Sequence, residues 1–411
     1  MNRPPSRLTA LLIAFAAETL SVTWCLRLPG WAPWLSIPYF VSGIAIAFFL
    51  LRLPALNLPR LNLRGRKDPV TVYRLAAIAL MGMILYTWCR VWFEDWTIDI
   101  ANADMLPVIK VMGERFLAGQ HSHIYDRIPW IWNGVQPIYL PAMWQPYVPF
   151  IAMGLDMRWV TAACLLFSFG VFIAIYRPQT HRYLSFFLAA VAFLLFWWMV
   201  ADNTAGIISV SEEGTVIAYY VLLALALVSG RPWLTGIAAS LCMLSRYAFI
   251  GWVPAYILYL VIGRRWRYLL WFALSGAGCF VLFFLIPVGW ETFLRLASLP
   301  GDYIAFAARV WKDSPDVFTT APGFAWFFGP RRIAVLHRVL VIGSFIAPLL
   351  FMAVSYRKFR DGGNLPVAML KLTLVVFYCC IDVPYLYLFY TSSMVSLVAV
   401  TLALREKVAA P

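Results

Sequence analysis

Long apolar runs, separated by short basic or mixed-sign loops, dominate the chain. Each run is close to the roughly 20 residues that cross a bilayer as a helix. The pattern predicts such helices near 9–28, 33–51, 75–93, 158–176, 183–200, 214–229, 268–288, 332–354, 364–381 and 384–404. One stretch, "LTGIAASLCMLSRYAFIGWVPAYILYLVIG" at 234–263, is too long for one crossing and too short for two. Ser245–Tyr247 and Gly251–Pro254 interrupt it, so two short helices meeting at a break are expected there. With that pair the count is twelve, and the expectation is an all-α polytopic bundle forming one domain over 1–411.

Two loops depart from the pattern. Segments 94–157 and 289–331 are far longer than ordinary connections and rich in Trp, Tyr and Phe, which points to folded, functional loops. Within the first, "DMLPVIKVMGERFLAG" places Leu106, Ile109, Met112 and Phe116 at helical spacing. It predicts a helix lying in the membrane interface and ended by Gly119. No internal repeat is evident, which counts against an inverted-repeat transporter.

Composition agrees with the pattern. Hydrophobic residues make up 63% and charged residues 13% of the 411 positions, with mean hydropathy +0.78. Soluble domains hold about 45–50% apolar and about 25% charged residues. The net charge of +14 raises the question of nucleic acid. Its placement answers otherwise: "RGRK" at 64–67, "GRRWR" at 263–267 and "SYRKFR" at 355–360 lie between apolar runs, where cytoplasmic anchoring puts them. One orientation satisfies every short loop, with both termini cytoplasmic and the two long loops outside, as in a bacterial inner membrane. The first apolar run follows a basic start but contains Glu18, so an uncleaved span is expected in preference to a signal peptide. All seven cysteines fall in apolar runs and read as buried free thiols.

The polar residues are few enough to weigh singly. The first long loop holds Glu94, Asp95, Asp99, Asp104, Glu114 and Asp126. Asp104 opens the interfacial helix, as a cap for its N-terminus or as a base facing a substrate. Arg246, inside apolar sequence, is either half of a structural ion pair or a binding cation. Arg331 and Arg332 precede a span and can snorkel; His337 follows within it. Glu18 is expected to pair inside the bundle with Arg90. Ser211, Glu212 and Glu213 read as helix-capping chemistry, and Asp156 with Arg158 as a local pair. His121 and His123 have metal-ligand spacing, yet two loop histidines make a weak site. No metal or cofactor is expected, and no nucleotide-binding motif is present.

The segment "ADMLPVIKVMGERFLAGQHSHIYD", followed by "PIYLPAMWQPYVPF", resembles a known pattern. It is similar to the GT-C class of polyprenyl-phosphate-sugar glycosyltransferases, in the family of bacterial polyprenyl-phosphate-mannose α-mannosyltransferases. There an Asp begins the first outer loop, followed by a helix, a Leu-x-Gly turn, Tyr-Asp and a Tyr-x-Pro element. Here Asp104, "FLAGQ", Tyr125–Asp126 and "YLP" at 139–141 occupy those places. "GIAASLCMLSRYAF" resembles the Gly-rich helix ending in a basic step, with Arg246 where a Lys is usual, and "GWETFLRLASLP" resembles the later outer loop. The chain lacks the aromatic pair after the Asp and carries two additional spans before it. The resemblance implies a polyprenyl-phosphate sugar donor, mannose as its sugar, and a lipid or glycan acceptor in the membrane's outer face. It implies inverting transfer with Asp104 as base, and Arg246 on the donor phosphate, helped by Arg331 or His337. Tyr139, Trp144 and Tyr147 are then expected to line the groove for sugar or lipid. The rival class is a transporter or flippase of a lipid-linked or glycan substrate, which would place its working charges near mid-span; a scaffold protein would have no need of Arg246.

The orientation has a direct test. A cysteine placed at Gln120 should react with an impermeant thiol reagent in intact cells, and one at Gly362 only after permeabilisation. Equal reaction from outside at both positions would refute the topology.

Overall fold

The computed structural model describes residues 6–28, 30–58, 69–131, 134–176, 182–201, 207–298, 303–359 and 363–406. The basic run 64–67, Arg177, Arg360, Asp361 and Gly362 lie outside the described residues. Helices build the fold, and among the described residues the single extended pairing is an isolated bridge between Ile128 and Val135.

Helices stand where the apolar runs predict them. They are α1 (Ser6–Thr23), α2 (Ala32–Leu51), α3 (Pro69–Asp95), α5 (Arg158–Ile175), α6 (Arg182–Val200) and α7 (Glu213–Ser229). They continue with α8 (Pro232–Met243), α9 (Trp252–Ile262), α10 (Trp266–Phe280, prolonged through a π-turn to Val288), α13 (Ile333–Phe359), α14 (Leu365–Cys380) and α15 (Leu386–Glu406). The two long loops add α4 (Met105–Leu117), α11 (Trp290–Ser298) and α12 (Tyr303–Asp313). Among the described residues seven helices are long and apolar enough to cross a membrane, and four apolar helices, α7, α8, α9 and α14, are shorter. The chain is an all-α, polytopic membrane protein. The ambiguous stretch forms two short helices, α8 and α9, separated by a 3-10 turn at Tyr247–Phe249.

Burial sorts these helices into a core and a rim. α14 and α15 are buried almost all round, whereas α3 and α10 are mostly exposed and turn their apolar side chains to lipid. Close crossings depend on glycine. A Cβ on Gly236 would lie 2.3 Å from the Phe272 carbonyl oxygen, and one on Gly251 would lie 1.8 Å from that of Ser344. Only hydrogen at these positions lets α8 meet α10 and the start of α9 meet α13.

Polar side chains act as joints. At one end of the bundle Asn364 donates to the carbonyls of Leu50 (3.0 Å), Leu53 (3.1 Å) and Pro54 (2.8 Å), and accepts from the Leu56 amide (2.8 Å). These bonds satisfy the end of α2 and fix where α14 begins. At the opposite end Arg158 binds Asp156 (2.6 Å) and the Trp96 carbonyl (2.5 Å), so the expected local pair also ties down the end of α3. Deep in the bundle Glu18 pairs with Lys371, not with Arg90, and both side chains are fully buried. Lys371 also donates to Ser392 Oγ (2.6 Å), and Ser396 donates to the second Glu18 oxygen (2.8 Å). Arg90 faces outward and bonds Glu94 at 3.1 Å, because its side of α3 looks away from the bundle. The seven cysteines are free thiols, six of them buried, with Cys164 partly so.

In a low-dielectric interior one partner of such a pair cannot be removed alone. Lys371→Met should destabilise the protein by about 3–5 kcal/mol. Adding Glu18→Gln should recover most of that loss, as read by denaturation in detergent. A single variant as stable as wild type would show that the pair does not hold α1 to α14.

Candidate functional site

The interfacial helix expected at 104–119 is present as α4, and Gly119 ends it at φ +71°. Its apolar face, with Leu106, Ile109 and Met112 buried, rests on a second core made by Tyr125, Trp144 and Tyr147 of the same outer loop. The two long loops are joined by Asp126, which accepts from Arg295 Nη1 on α11 and meets His123 Nδ1, both at 2.6 Å. Those hydrogen bonds, His123's first, hold the Asp126 carboxyl below the usual aspartate range.

Beneath this cover lies a cavity of about 380 Å³. Five segments build it: the first turn of α4 (Asp104, Met105, Val108), the strip Val135–Tyr139, the break between α8 and α9 (Arg246–Gly251), α12 with the outer half of α13, and the turn joining α14 to α15. Its polar lining is Asp104, Gln136, Tyr139, Arg246, Tyr303, Arg309, His337 and Asp382, and its apolar lining includes Ile250, Leu340, Val341 and Phe345. Three of those four apolar residues belong to α13, whose Ile342, Ile346 and Leu350 are exposed.

Asp104 occupies the N-cap position of α4, yet its side chain makes no capping bond; only its carbonyl serves the helix, accepting from the Val108 amide at 3.0 Å. Burial pushes its carboxyl above the usual aspartate range, against the smaller lowering effect of its own backbone hydrogen bond. Ser211, just before the Glu212 N-cap of α7, accepts from the Glu213 amide through Oγ at 3.0 Å.

Those glutamates meet Arg246. The break after α8 leaves Arg246 extended (φ −144°, ψ 138°) and turns its guanidinium toward α7. Nη2 lies 2.9 Å from Glu212 Oε1 and 2.6 Å from Glu213 Oε2. Thr391 of α15 donates to the other Glu213 oxygen at 2.5 Å. Arg246 therefore lines the cavity while already compensated by two fully buried carboxylates. His337 is also held, with Nδ1 2.6 Å from Asp382 Oδ2. Among the described residues Arg309 is the cavity cation with no carboxylate partner.

The structure thus brings Asp104, Tyr139, Arg246 and His337 to one cavity, and leaves three expected residues off it. Trp144 is wholly buried behind the wall, where its Nε1 donates to Tyr125 Oη at 3.1 Å. Tyr147 is likewise buried, bonding Thr161 (2.8 Å) and Thr215 (2.9 Å) between α5 and α7. Both rings support the loop instead of lining a groove, because the chain folds back on α4 and covers them. Arg331 is exposed in a 3-10 turn before α13 and does not line the cavity. The same sequence reasoning passed over Asp382, Arg309 and Gln136. Asp382 carried a usable signal, a carboxylate in the short polar step between two apolar helices. Arg309 did not, since it looks like any cation on an amphipathic helix. Comparison with protein-family models, curated proteins and solved structures finds no match to this chain.

The triad around Arg246 generates a stability test. Arg246→Ala leaves two buried carboxylates uncompensated and should cost about 3–5 kcal/mol, with Arg246→Lys intermediate. If the alanine variant melts with wild type, the guanidinium is not what holds α7, α8 and α15 together.

Proposed function

We propose that the protein is an integral membrane glycosyltransferase of the GT-C type, with about twelve spans. It moves a hexose, mannose by resemblance, from a polyprenyl-phosphate donor to a lipid or glycan acceptor at the outer face of a bacterial inner membrane. The observation that carries this reading is Asp104: a carboxylate that neither caps its helix nor pairs with a cation, set on a cavity that also presents cations and an apolar wall.

An anionic lipid-linked sugar matches those three properties. Its isoprenoid stem lies along Leu340, Val341 and Phe345; its phosphate is met by Arg309 and His337, with Arg246 behind them. Asp104 takes the proton of the acceptor hydroxyl as that oxygen attacks the anomeric carbon. The bond from the anomeric carbon to the phosphate oxygen breaks, its electron pair stays on the phosphate, and the configuration inverts. The cations stabilise the charge that gathers on the leaving group. A carboxyl raised by burial suits the base, since a basicity nearer working pH improves proton transfer.

A transporter or flippase remains the second reading, favoured by one observation, the Glu18–Lys371 pair buried within the bundle. Proteoliposomes separate the two: a transferase makes a glycosylated product, and a transporter moves intact substrate across the bilayer.

Asp104→Asn tests the base. Single-turnover transfer should fall roughly 10²–10⁴-fold with donor affinity and thermal midpoint near wild type. A protonated carboxyl cannot accept the acceptor's proton, so kcat/KM in the wild type should drop as pH falls through the raised Asp104 value, on a limb above about 3.9. The Asn variant should lose that limb. Near-wild-type transfer by Asp104→Asn would end the assignment.

A further inference from the structure

Asp382 lies in the short turn between α14 and α15 and is 3% exposed. Its Oδ2 is 2.6 Å from His337 Nδ1. Its Oδ1 is buried and has no protein partner, although the residue forms part of the cavity wall. A buried carboxylate oxygen left without a donor is costly, and native structures seldom keep one unless something else fills the place. An ionised carboxylate can only accept, so the missing group is a donor.

The neighbours narrow the choice. His337 has its Nδ1 engaged, which leaves Nε2 as its ring nitrogen open to the cavity. Arg309 and Tyr303 of α12, Tyr247 and Arg246 of the helix break, and Tyr385 of the same turn also border the space. Tyr247 Oη is itself buried without a hydrogen-bond partner. Among the described residues no group of three metal-ligating side chains forms. The site therefore offers an unpartnered carboxylate acceptor and an unpaired tyrosine hydroxyl in a cavity that cations also line. A ligand that presents hydroxyl donors next to an anionic group fits that arrangement.

We infer that Asp382 is a sugar-reading residue: its free Oδ1 accepts a hydroxyl of the donor hexose, while its Oδ2 holds His337 toward the adjoining phosphate. The inference rests on the polyprenyl-phosphate-sugar reading and adds to it a residue that selects the sugar. One carboxylate then couples the two recognitions, because the oxygen that orients the histidine and the oxygen that meets the sugar belong to the same rigid group. A sugar lacking the right hydroxyl leaves a buried acceptor unpaired, and sites of this kind reject such analogues strongly.

The test uses the full chain in nanodiscs and measures affinity for polyprenyl-phosphate mannose, for its monodeoxy analogues and for bare polyprenyl phosphate. Transfer by the wild type is followed in the same preparation. In the wild type, one deoxy analogue should bind roughly 10- to 100-fold more weakly than the parent donor. In Asp382→Leu that analogue and the parent should bind equally. Asp382→Asn keeps the side chain's shape and a weaker neutral acceptor, so it guards against a folding defect in the first variant; there the penalty should shrink. If no single hydroxyl matters to the wild type, or the penalty persists undiminished in both variants, the inference is overturned while transfer by the wild type leaves the wider reading standing. If the wild type binds neither the sugar donor nor bare polyprenyl phosphate, the donor class is wrong and the role of Asp382 falls with it.

Discussion

The guanidinium of Arg246, held between Glu212 and Glu213, is the interaction on which the rest of the structure turns. Three charges sit where lipid and apolar side chains would otherwise leave none, and each is tolerable only because the others are within hydrogen-bond reach. Satisfying them fixes much of the architecture. The helix that would run from 232 to 262 must break so that Arg246 can turn toward α7, and α7 must begin with both carboxylates facing inward. α15 must also come close enough for Thr391 to reach Glu213. The cavity lies beside that break, so the feature that costs the bundle a continuous helix also gives it a wall that lipid does not fill.

α15 links this triad to the second buried ionic group. Thr391 reaches Glu213 on one side, while Ser392, Ser393 and Ser396 reach Lys371 and Glu18 on the other. Consecutive residues of a helix point roughly 100° apart, which is why Thr391 and Ser392 serve different partners. A helix with small hydroxyl residues on two faces can approach its neighbours closely and satisfy buried charges at once. This explains why α15, among the most buried helices, is also among the richest in Ser and Thr.

The long loops use a different arrangement. α4 rests on Tyr125, Trp144 and Tyr147, large rings whose polar atoms find partners within the loop or on the neighbouring helices. The loop is thereby packed without a continuous helix, and it presents Asp104 and Tyr139 to the cavity. The link from Asp126 to Arg295 ties this lid to α11, at the surface where both charges remain partly solvated.

Much of this was legible in the sequence. In lipid, backbone groups must be satisfied within the segment, so an apolar run of about 20 residues has little choice but a helix; the helix positions, the broken pair at 234–263 and the turn at Gly119 follow from that. Local pairs were legible too: Asp156 with Arg158 and Ser211 at the head of α7 involve neighbours in sequence. What the sequence could not decide was which faces meet. Glu18 finds Lys371, 353 residues away, and not Arg90. Trp144 and Tyr147 are enclosed although their type suits a groove, and Asp382 and His337 become partners only when the end of α14 comes to lie against α13. Spacing along one element tells which residues share a face; the neighbour of that face is set by the packing of all the helices together, and only the tertiary structure contains that information.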